Sequence, residues 1–149
     1  MAVTTKVYGK AGEHIQAGDI DWVGDTIKAA LVTSAYTPNQ GTDEFWSDAD
    51  AHEIAGTGGY TTGGFTLAGA STSYDSATRE SRYDANDVSV AALTPSAPFR
   101  YMIVYDASPG SAGTDQLLAY INFGADQDPA GLPFAVQWAA TGVFYMQAS

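Results

Sequence analysis

Two histidines, seventeen carboxylates and no cysteine make up the reactive inventory of this 149-residue chain. Without cysteine there is no thiol nucleophile, no disulfide, no Cys-ligated zinc and no iron–sulfur cluster. His14 and His52 stand far apart. Glu53 follows His52, but no second histidine comes one helical turn later, and a catalytic zinc asks for three protein ligands. Both histidines therefore read as surface or turn residues. No G-x-S-x-G elbow nominates a serine. Three acidic groupings invite a calcium test. Asp84-x-Asn86-Asp87 opens like a calcium loop but lacks its glycine and terminal glutamate. Asp48 with Asp50, and Asp126 with Asp128, offer too few oxygen ligands and read as solvated loop carboxylates. The glycine run 56–64 fails as a phosphate loop, because Gly64 stands where the lysine after Gly63 belongs and Thr61 breaks G-x-G-x-x-G. The expectation is a non-enzyme: no catalytic residue, no cofactor and no metal site.

Charge narrows the partners. Six Lys and Arg against seventeen Asp and Glu give a formal net charge of −11. Counterion release on nucleic acid needs clustered cations on the protein, so a nucleic-acid binder is not expected. Docking on anionic lipid fails for the same reason. No apolar run is long enough to span a bilayer, and Met1 to Gln16 has no apolar stretch of the kind a secretory signal carries. The length fits one domain.

The elements that would position any site read mostly as short strands. Val3, Thr5 and Val7 alternate weakly with Thr4, Lys6, Tyr8 and Lys10, so residues 1–19 read as an extended arm or edge strand, followed by a single β domain over 20–149. Ile27, Ala29 and Leu31 share one face of a strand. Thr42 reads as the N-cap of one short helix near residues 42–51, with Asp43 and Glu44 in its first turn and Phe45, Trp46 and Ala49 on its apolar face. Five glycines fall within 56–64 and preclude a regular helix there. Ser73–Tyr74 and Arg79–Tyr83 read as a hairpin around a polar loop. Phe99, Tyr101, Ile103 and Tyr105 alternate with Met102 and Val104, so this strand is apolar on both sides and belongs in a sheet interior. Leu117 to Phe123, Phe134 to Trp138 and Val143 to Met146 continue the pattern. The sum is an all-β fold, an antiparallel β-sandwich or partly open barrel of about 8–10 short strands.

Strict alternation assigns most aromatic residues to the core. Trp22, Phe45, Trp46 and Tyr60 lie outside the regular strands, where they either pack inward or anchor a partner. With Val3, Lys6, Tyr8 and Lys10 of the N-terminal segment, and Gly58 and Gly59 of the glycine loop, they form the candidate contacts to a partner or a second copy.

Several strings, in order, carry a resemblance. They are Asp21-Trp22 through Pro38, Gly56 to Gly64, Tyr83 to Val88, Tyr101 to Asp106, Leu118 to Gln127 and Phe134 to Phe144. Together they span roughly residues 20–146. This series resembles a group of small virion structural proteins of tailed, siphovirus-type bacteriophages. Val90, where an aromatic is expected, and the small-residue loop Ser108 to Thr114 depart from the pattern. The resemblance implies a head decoration, or cement, protein made in the bacterial host cytoplasm and carried on the outer surface of the head. Its partner would be the major capsid protein or another virion protein, and it would act as a homo-oligomer, a trimer being favoured. Alternatives are a tail or head–tail completion protein and a surface carbohydrate-binding β-sandwich. Clamping by several linked contacts raises avidity by about 10²–10⁴ without any single strong one. If the arm makes those contacts, removing residues 2–12 is expected to abolish particle binding and leave the fold intact.

Overall fold

The computed structural model describes residues 3–149. Strand makes up 41% of the chain and helix 10%, which is an all-β, sandwich-like fold. A central antiparallel sheet contains β1 (Thr5–Val7), β2 (Ile27–Val32), β3 (Phe65–Thr66), β7 (Phe99–Asp106) and β8 (Leu117–Gln127), in the order β1-β8-β7-β2-β3. Two smaller antiparallel sheets pair β4 (Ser71–Asp75), β5 (Glu80–Asp84) and β10 (Phe144–Gln147) in the order β10-β5-β4, and β6 (Val88–Leu93) with β9 (Leu132–Val136).

The strand that the alternation placed inside, β7, is the middle strand of the five. Its two faces feed two cores. Met102 and Val104 join Ala29, Leu31, Ala119 and Ile121 on the side covered by the small sheets, where Val88, Phe134, Val136 and Phe144 meet them. Tyr101, Ile103 and Tyr105 join Ala30, Val32, Leu117 and Tyr120 on the opposite side. Among the described residues no sheet covers that second face. Tyr8, Tyr36, Trp46 and Ala49, delivered by irregular segments, cover it instead. A bulge in β8 helps to feed both layers: Tyr105 pairs with Leu117 and Val104 with Ala119, leaving Leu118 as the extra residue.

Two expected elements differ. Residues 5–7 form a sheet-edge strand, but the chain then turns into an α-helix, α1 (Gly9–Ala17), in place of a continuing extended arm. The sequence hides this helix, since Tyr8 offers no side-chain cap and the first turn has no acid. It is secured from outside: Ala11 is fully buried, Gly9 donates to the Gln40 carbonyl, and Gly18 ends it in the left-handed conformation. Met1 and Ala2, the start of the expected arm, lie outside the described residues.

Nor is there an α-helix over 42–51. Two single 3-10 turns, Trp46–Asp48 and Asp50–His52, stand there. The backbone of this segment is engaged elsewhere. Trp46 N–H donates to the Asp115 carbonyl, Ser47 N–H to Ala112, and Leu117 N–H to the Glu44 carbonyl. Cross-pairing with the 112–117 segment competes with the i→i−4 ladder and wins.

Glycine matters where backbones meet. At Gly64, with φ +99°, a Cβ would fall 2.4 Å from the Ala29 carbonyl oxygen on β2. At Gly113 a Cβ would meet nothing within 4 Å. Gly64→Ala should therefore cost at least about 2 kcal/mol in urea unfolding, and Gly113→Ala less than about 0.5 kcal/mol.

Candidate interaction surface

The residues singled out as partner contacts divide sharply by burial. Tyr8, Trp22, Trp46 and Tyr60 are 0, 3, 6 and 4% exposed. They are core residues, and a partner cannot reach their rings. Trp46 stacks on Tyr105, with centroids 4.6 Å apart and planes 4° from parallel. Trp22 sets its indole edge-on to Phe144 and donates from Nε1 to the Asp84 carbonyl. Phe45 is half-buried, its ring 5.9 Å from that of His14. Val3 is half-buried against the first core. Lys6, Lys10, Gly58 and Gly59 remain exposed.

Tyr8 and Tyr60 are tied in by polar bonds as well. Tyr8 Oη lies 2.8 Å from Tyr36 Oη, and Tyr36 donates onward to Asp43 Oδ2 at 2.7 Å. Tyr60 accepts the Leu31 N–H at 3.0 Å and donates to Glu53 Oε1 at 2.6 Å. That Leu31 N–H lies on the side of β2 where β3 has already ended, so the phenol stands in for a strand partner. Burial pushes the Tyr8, Tyr36 and Tyr60 hydroxyls well above the usual phenol range. They stay neutral, as donors to carboxylates must.

The glycine loop is packed down. Thr94 N–H donates to the Gly58 carbonyl, Thr57 Oγ1 donates to the Thr94 carbonyl, and Gly63 N–H donates to Glu53 Oε1. A Cβ at Gly58 would fall 2.7 Å from the Thr94 Cβ, and one at Gly59 2.4 Å from the Ala92 carbonyl oxygen. The loop is a seam between β2 and β6. Only its outer side faces water.

The loop carboxylates serve the backbone. Asp48 Oδ2 accepts the Glu44 and Phe45 N–H groups. Asp87 Oδ1 accepts the Trp138 N–H at 2.9 Å. Asp126 faces Arg100 at 3.8 Å. His14 sits between Asp19 and Glu44, at 3.1 and 3.0 Å, and His52 stacks on Tyr36. Among the described residues, no three His, Asp or Glu side chains converge as a metal site would require.

What the surface offers is edges. β1 is an outer strand of the central sheet, carries exposed Lys6, and borders a hollow of about 300 Å³ lined by Thr5, Val7, Phe144 and Tyr145. Thr5 Oγ1 donates to the Val143 carbonyl and closes the floor between β1 and β10. β4 is the outer strand of its sheet; Ser71 to Tyr74 are all exposed, Tyr74 by 63%. An outer strand with no charge before Asp75 leaves backbone donors and acceptors ready to pair. The sequence marks the hairpin but gives no sign that Tyr74 points outward, because polar residues surround it on both sides.

Comparison with protein-family models, curated proteins and solved structures found no match to this chain.

Two consequences are measurable. Tyr60→Phe leaves the buried Leu31 N–H without an acceptor and should cost about 1–3 kcal/mol, read by urea unfolding. Removing residues 2–12 takes away β1, Tyr8 and Ala11 together. Contrary to the expectation for a detachable arm, the truncated chain should lose its cooperative thermal transition in calorimetry.

Proposed function

We propose that this chain is a structural protein of a tailed-bacteriophage particle that binds the outer surface of the head shell in many copies and stabilises it, with no reaction of its own. One observation carries the reading. The strings that resemble small virion proteins fall on the framework of the fold: β2, β7 and β8 at its centre, the glycine seam, and the covering strands from Phe134 to Phe144. A resemblance spread over the framework concerns the whole body and not an isolated loop.

The surface supports the reading in a more general way. Both faces of the central sheet are filled, so recognition falls to edges and exposed side chains. Tyr74 on the β4 edge, and Lys6 beside the β1 hollow, are suited to many modest contacts. A homo-oligomer presenting several copies would gain avidity from linkage. The charge of −11 opposes non-specific attachment to nucleic acid. No helix among the described residues is long and apolar enough to cross a membrane.

Quantitative mass spectrometry of purified particles tests the proposal. Hundreds of copies per particle are expected. A count of about one ring would move the protein to the tail or the head–tail junction, and its absence from particles would overturn the proposal. In reconstitution with undecorated shells, Tyr74→Ser should lower occupancy at least tenfold while changing stability by less than about 0.5 kcal/mol.

A further inference from the structure

Asp106 closes β7 opposite Ile27 of β2, and its side chain is fully buried. Its Oδ1 accepts the Ser108 N–H at 2.9 Å. Its Oδ2 receives no hydrogen bond from any N–H or hydroxyl. Ile27 pairs with Asp106 and the Ala107 N–H donates to the Thr26 carbonyl, which brings Asp25 alongside, and its carboxyl acts on Asp106. Two ionised carboxylates have no proton to place between them, and the contact is repulsive unless one is protonated. The groups that act on Asp106 are Asp25, from the chain leading into β2, and Ser108, from the loop after β7; no cation is among them.

The two carboxyls join segments that are already stitched together. Ala107 N–H donates to the Thr26 carbonyl, and Thr26 N–H donates to Ser108 Oγ. Asp25 also closes its own turn: its Oδ2 accepts the Asp21 N–H at 2.7 Å, and its N–H donates to the Asp21 carbonyl. Trp22 rides in that turn and packs on Tyr83 and Phe144.

We propose that Asp106 keeps its proton and that its buried Oδ2 donates it to Asp25 in a hydrogen bond, closing a pH-operated clasp between the Asp21–Asp25 turn and the end of β7. It does not depend on the protein's place in a particle. Burial, against the lowering effect of the Ser108 N–H bond and helped by the neighbouring Asp25 carboxyl, pushes Asp106 from 3.8 up to about 6. The folded chain therefore holds a proton that the unfolded chain has released between about pH 4 and pH 6. The clasp is shut below that window and loosens as the pH rises through it. Across the window the folding equilibrium constant loses up to about a hundredfold from this pair.

Carboxyl carbon NMR of the full chain, titrated from pH 3 to 8, reads the pair directly. A midpoint raised to about 6 is expected at Asp106. Amide exchange, expressed as protection factors, should show residues 22–26 more protected at pH 5 than at pH 7.5. In Asp106→Asn the amide can still accept from Ser108 and can donate to Asp25, so protection should stay at its pH 5 level at both values. Asp25→Asn should give the same result from the other side if the first variant does not fold. Ordinary carboxylate titration at Asp106, or an unchanged pH dependence in the variants that fold, overturns the clasp.

Discussion

Burial of β7 on both faces is the constraint from which the rest of the molecule follows. A strand with Met102 and Val104 on one side and Tyr101, Ile103 and Tyr105 on the other must be covered twice. The first cover is conventional: two small sheets lay Phe134, Val136 and Phe144 over it. The second has no sheet to draw on. Irregular chain must be pressed flat against the strands, and its own peptide groups then leave water. Each buried N–H or carbonyl left without a partner costs about 1–3 kcal/mol, so this layer can exist only if it is hydrogen-bonded throughout.

That requirement explains the chemistry of the second layer. Tyr8, Tyr36 and Asp43 form a chain of bonds through it; in the first core, Tyr60 with Glu53 does the same at the sheet edge where β3 stops. Tyrosine suits the task, bringing a large apolar ring and one polar tip to the same place. The acidic residues contribute in the same way. Asp43, Asp48, Asp87 and Asp115 each accept backbone N–H groups from irregular chain. Part of the excess of acid therefore props irregular backbone, from exposed Asp48 and Asp87 to buried Asp115. Asp106 is the place where this strategy meets a second carboxyl in place of a donor, which is why a proton becomes structural there.

The glycine run is held at Gly58, Gly59 and Gly64 against Thr94, Ala92 and Ala29, at distances that leave no room for a Cβ. What is left open is the rim: the outer strands β1 and β4 and a few exposed large side chains such as Tyr74, Leu132 and Tyr145. The attachment proposed above would fall to these edges.

The sequence by itself determined the strands and the rank of the central one. Alternation at β2, β7 and β8 depends only on the period-two geometry of extended chain, so Ile27, Ala29 and Leu31, or Tyr101 and Ile103, could be read without knowing their neighbours. The chain also carries its acidity and its lack of thiols in plain view. Tertiary structure alone decided the rest. Residues 9–17 became a helix because Ala11 found a buried place and Gln40 an N–H to accept, although no cap or first-turn acid announces it. Residues 42–51, which carry the local marks of a helix, gave up theirs because Asp115, Ala112 and Leu117 offered their backbone better partners. Trp22 and Tyr60 went inward to the first core, and Trp46 to the second face of β7. A side chain outside a regular strand has no period to show which way it faces. Its direction is settled only when the layer it must cover is in place.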